Sequence, residues 1–124
     1  MTLHQVHADF AWIVVATNAV VGLWALAAHT QGRFRTASLW RATLVAELTI
    51  FVEVSLGVAL VALQDHEVAQ FHAFYGFVAI IAVGIVYSYR QQLEPHLHLL
   101  YGFGGLFLMG LALRAITISP VPTP

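Results

Sequence analysis

The run "FAWIVVATNAVVGLWALAA", residues 10–28, contains no ionisable side chain. Wound as an α-helix it reaches about 28 Å, close to the roughly 30 Å of hydrocarbon in a bilayer. Working outward, three more apolar blocks of similar length follow, divided by short polar links. Across 124 residues, 60% are hydrophobic and 9% charged, and the mean hydropathy is +0.81. Soluble domains carry about 25% charged residues, so this is the composition of an integral membrane protein. The fold class expected is all-α, a single transmembrane four-helix bundle with antiparallel up-down-up-down topology.

Four helices are expected at about 3–29, 39–63, 69–92 and 95–117. Thr2 with Gln5 three residues on reads as a capping box for the first. "TQGRFRTAS" links the first pair, and Pro95 suits the first turn of the fourth helix. The tail 118–124, with "SPVPTP", is too rich in proline to stay helical. "MTLHQVHADF" lacks the basic region of a cleaved leader.

The arginines set the orientation. Arg33, Arg35 and Arg41 flank the first link and Arg90 borders the third, whereas the second carries Asp65, His66 and Glu67. Cytoplasmic loops collect arginine, so both termini are expected outside the cytoplasm, in what reads as a bacterial cytoplasmic membrane. The near balance of 5 basic and 6 acidic groups argues against nucleic acid as a partner. Absence of cysteine excludes disulfides and thiolate metal sites.

Seven histidines fall into two layers on this topology. His4, His7, His66 and His72 gather outside; His29, His96 and His98 gather inside. On the first helix His7, Ala11, Val14, Asn18, Gly22, Ala25 and His29 share one small, polar face, which should point inward. "HAFYGF" at 72–77 returns as "HLLYGF" at 98–103, so His72, Tyr75 and Gly76 recur as His98, Tyr101 and Gly102. The third and fourth helices run oppositely, which puts the two copies at opposite membrane faces.

A histidine followed one turn later by a small residue suits a flat macrocycle, because the imidazole ligates iron and the small residue leaves room for the plane. Two bis-histidine haem b sites are conceivable, His7 with His72 outside and His29 with His98 inside. Tyr75 and Tyr101 would pack at the porphyrin edge and arginines would meet the propionates. The pattern resembles transmembrane b cytochromes in having a four-helix core with inward histidines at two depths. His7 and His29 lie twenty-two residues apart, about 33 Å along a helix, which favours one haem over a two-haem wire. A different reading makes the outer histidines, with Glu67, a zinc or copper site. The bland one takes the same residues as interface anchors and Gly/Ala packing faces, as with His96.

Glu47 and Glu53 lie within the second helix, where an ionised carboxylate is costly unless paired. On the helical wheel both border the interior, and Asn18 is the expected hydrogen-bond partner of Glu53. Three functions follow: a small haem b protein or redox-complex subunit; a cofactor-free accessory subunit docked on other membrane subunits or on copies of itself; and a proton-coupled transporter using Glu53. No serine sits in a nucleophile elbow, which leaves hydrolytic chemistry unsupported.

Overall fold

The computed structural model describes residues 2–64 and 70–118. They form helices α1 (Leu3–Thr30), α2 (Ala37–Gln64), α3 (Gln70–Ser88) and α4 (Leu97–Thr117), with short 3₁₀ turns at Gly32–Phe34 and Glu94–His96. All four helices are long and apolar enough to cross a membrane. Helices satisfy every backbone polar group internally, which lipid demands of any spanning segment. Hydroxyls inside them bond back to their own turns, as Thr43 Oγ1 does to the Leu39 carbonyl at 2.8 Å and Ser88 Oγ to Gly84 at 2.7 Å.

Each end has a local cause. Thr2 caps α1 reciprocally with Gln5, its Oγ1 accepting from the Gln5 amide at 3.1 Å and its own amide donating to Gln5 Oε1 at 3.0 Å. The other end of α1 is closed by Arg35, whose Nε donates to the Ala28 carbonyl at 2.6 Å and Nη2 to His29 at 2.7 Å. A cation on these otherwise unsatisfied carbonyls also complements the helix dipole. Trp24 Nε1 donates to the Phe34 carbonyl at 3.0 Å and pins the link to α1. Helix α3 stops at Ser88, short of the expected residue 92. Turns then carry the chain to Pro95, with Leu93 N bonded to the Tyr89 carbonyl at 2.9 Å.

Helix α1 packs chiefly on α4 and α2, and α4 also on α3, whereas α2 and α3 scarcely meet. The α1–α4 crossing is the closest. A Cβ built on Gly105 would lie 3.0 Å from Gly22 Cα and 3.1 Å from the Asn18 carbonyl oxygen, and one on Gly22 would lie 3.0 Å from the Gly102 oxygen. Backbones meet here because three glycines face one another, the small-residue packing typical of lipid-embedded helices. Large apolar side chains such as Trp12, Leu23, Phe77, Phe103 and Phe107 are exposed on the perimeter. That distribution is inverted relative to a water-soluble bundle.

Candidate functional site

Polar side chains gather at three levels. At the end where α1 begins, His7 Nδ1 approaches Glu53 Oε1 to 2.9 Å, with side chains only 18% and 13% exposed. The two atoms are close but not aligned as a hydrogen bond, and Oε2 of Glu53 has no hydrogen-bond partner among the described residues. His72 comes from α3, and its ring centroid lies 5.9 Å from that of His7, with the planes at 84°. His72 Nδ1 is 2.7 Å from the Ala115 carbonyl oxygen. A carbonyl can only accept, so the proton is on Nδ1 and a neutral ring holds its lone pair on Nε2. A carboxylate beside His7 Nδ1 favours the same tautomer there.

Around this pair the structure leaves small positions. Gly57 on α2 faces the His7 ring, and a Cβ there would sit 3.1 Å from Cε1. Gly76, one turn beyond His72, is uncrowded: among the described residues an added Cβ would meet only Val54 Cγ2, at 3.9 Å. Phe10 and Tyr75 pack against the neighbouring apolar cluster.

Deeper in, Asn18 Nδ2 donates to the carbonyls of Val14 at 2.9 Å and Ala46 at 3.3 Å. Both amide protons are thereby used and Oδ1 is left as an acceptor. Asn18, Thr43, Glu47 and Tyr101 line a cavity of about 10 Å³, which has room for about one water. Glu53 was expected to pair with Asn18; instead it reaches His7, and Glu47 is the carboxylate on the Asn18 cavity. The α1–α2 register causes this: Asn18 lies beside Ala46 and His7 beside Gly57, so Glu53 is offset toward the helix end.

At the opposite end His98 packs on Trp40, centroids 5.2 Å apart, and Trp40 meets Tyr101 edge-on at 5.3 Å. His98 Nε2 is buried without a hydrogen-bond partner among the described residues. His29 and Arg35 lie within charge-interaction range of it, yet the His29 and His98 rings make no contact among the described residues. Gly102 is filled from outside, since a Cβ there would stand 2.5 Å from Leu26 Cδ2 and 3.1 Å from the Leu26 amide nitrogen.

His66 and Glu67, named above for a zinc or copper site, lie outside the described residues. No cluster of three or more His, Cys, Asp or Glu suited to a metal ion occurs among the described ones. Sequence reasoning passed over Gly57, Trp40 and the Ala115 carbonyl. Gly57 lay on the inward arc of α2 and was open to discovery, whereas a backbone carbonyl carries no residue signature. No protein-family model matches the chain, and neither a curated protein nor a solved structure matches it.

Proposed function

We propose that the chain is an antiparallel up-down-up-down four-helix bundle of a bacterial cytoplasmic membrane, with both termini extracytoplasmic, that binds one haem b between His7 and His72. It would serve membrane electron transfer, alone as a homo-oligomer or as a subunit of a larger redox complex. The observation that carries this is the pairing of two imidazoles from helices that barely touch each other. Their ring centroids lie 5.9 Å apart, and these two side chains are the ones that would hold the iron.

The second layer supports it as well. Metal-bound histidines commonly donate their other N–H to a carboxylate or a backbone carbonyl, which fixes the tautomer and ring orientation. Glu53 and the Ala115 carbonyl stand at those two positions. The sparse α2–α3 seam, beside Gly76, is where a flat macrocycle would enter. Bound haem would supply one-electron chemistry; the chain would hold, orient and insulate it from water. His98, with its ring against Trp40 and apart from His29, belongs to no second pair on this reading.

Absorption spectra of detergent-purified protein, oxidised and then dithionite-reduced, test the reading. His7→Ala and His72→Ala should each remove the low-spin bis-histidine spectrum, while His98→Ala keeps it. A wild type that takes up no haem, or a spectrum that survives both substitutions, would overturn it. The contact between Glu53 and His7 favours one alternative, a proton-coupled transporter in which the pair carries the proton. Proton-driven uptake in vesicles that persists in Glu53→Gln would eliminate that alternative.

A further inference from the structure

Where α3 ends and α4 begins, a groove of about 480 Å³ opens against the start of α2, lined by Trp40, Arg90, Gln91, Glu94, Leu97 and Tyr101. We propose that it is a binding site for the headgroup of a zwitterionic phospholipid, a phosphatidylethanolamine, with the phosphate on Arg90 and the ammonium on Glu94.

The donor side is prepared in advance. The Arg90 guanidinium carbon lies over the Tyr87 ring, 3.6 Å from its centroid, and Nη1 donates to the Tyr87 carbonyl at 2.8 Å. Held this way, its remaining N–H groups present a fixed fork of the kind that matches phosphate oxygens. Trp40 is fixed by its contacts with His98 and Tyr101, and its indole N–H bonds to no other described residue. Glu94 supplies the opposite charge. It forms no ion pair with Arg90 or any other described residue, although only four positions separate the two.

An anion alone would meet repulsion from Glu94, and a cation alone would meet Arg90. A ligand carrying both charges a few bonds apart satisfies both. Trp and Tyr concentrate at headgroup depth in membrane proteins, and here Leu97, Trp40 and Tyr101 give the groove an apolar wall beside its two charged groups. This proposal does not depend on haem.

Native mass spectrometry of delipidated protein in detergent, titrated with phosphatidylethanolamine or phosphatidylglycerol of equal chain length, tests it. Wild type should prefer the ethanolamine lipid by roughly threefold to tenfold, the range of one partly exposed charge-assisted contact. Arg90→Gln should lose a similar factor for the ethanolamine lipid, and Glu94→Gln should erase the discrimination. Arg33, stacked on Phe34 outside the groove, serves as a control whose alanine variant keeps both affinities. Equal wild-type affinity for the two lipids, or full affinity in a helical Arg90→Gln protein, would overturn the proposal.

Discussion

Gly105→Ala should destabilise the protein, and Gly110→Ala should not, although the two positions are five residues apart on one helix. At Gly105 the new methyl would stand 3.0 Å from Gly22 Cα and 3.1 Å from the Asn18 oxygen. Carbon atoms prefer roughly 3.5–4.0 Å, so the overlap is on the order of half an ångström or more. Both opposing atoms belong to the α1 backbone, and no flexible side-chain end can swing away. The helices must therefore separate, and a gap of 0.5–1 Å forfeits about a quarter to a half of the dispersion energy of each contact along the crossing. Overpacking of this kind costs about 1–3 kcal/mol, against a gain of about 0.5–1 kcal/mol from replacing glycine by alanine in a helix. At Gly110 no described residue lies within 4 Å of the added methyl and only the gain applies. The two variants should differ by about 2 kcal/mol, about 30-fold in the unfolding constant. Reversible unfolding of the detergent-solubilised protein by a denaturing surfactant, followed by far-ultraviolet circular dichroism, measures this. A Gly105→Ala protein as stable as Gly110→Ala would mean that α1 and α4 do not cross on these glycines.

Three further outcomes are expected. Asn18→Ala removes the amide that bridges Val14 and Ala46, and should cost about 0.6–2 kcal/mol in the same unfolding assay, the range of interhelical hydrogen bonds in membranes; no loss would remove Asn18 from helix pairing. Gly57→Ala places a methyl 3.1 Å from His7 Cε1, whereas Gly76→Ala meets only Val54 at 3.9 Å, so the haem-to-protein ratio on purification should fall in the first and hold in the second. Glu53→Gln replaces a carboxylate beside His7 with a neutral amide, weakening electron donation through the imidazole. Redox titration should find the haem potential raised on the order of 60 mV, the one-electron equivalent of a tenfold change; an unchanged potential would detach Glu53 from the ligand.

The four helices were legible because a bilayer leaves an apolar run of this length few alternatives. Their ends were less so: α3 ends at Ser88, where turn hydrogen bonds from Tyr89, Arg90 and Leu93 take over, and no breaking residue precedes Glu94-Pro95. The helical wheel put Val14, Asn18, Gly22 and Ala25 on one face of α1, and all four are buried. Partners across helices were another matter. A wheel fixes direction around one axis and says nothing of the axial offset between two, so it put both Glu47 and Glu53 inward and then joined Asn18 to Glu53. The register that places His7 opposite Gly57 goes with the Arg35 and Trp24 contacts that tie the α1–α2 link to α1. Those are tertiary facts with no counterpart in the periodicity of a single segment.

The repeated pattern of histidine, tyrosine and glycine is the sharpest case of that limit. His72-Ala73-Phe74-Tyr75-Gly76 and His98-Leu99-Leu100-Tyr101-Gly102 read as one motif, yet their glycines do opposite work. Gly102 lies on the α1–α4 crossing, where Leu26 occupies the space that a side chain would need. Gly76 lies on α3 beside the sparse seam with α2 and keeps its space open. The histidines part in the same way. His72 has its Nδ1 on a backbone carbonyl and its ring beside a second imidazole, whereas His98 lies against Trp40 with Nε2 buried and, among the described residues, unpartnered. A planar cofactor needs both a ligand and an unfilled volume one turn away. Only the first copy leaves its glycine uncrowded, because α4 uses Gly102 and Gly105 to hold α1. Two equal haem sites would therefore require a looser α1–α4 contact, and loosening it would shift the register that brings His7 to His72.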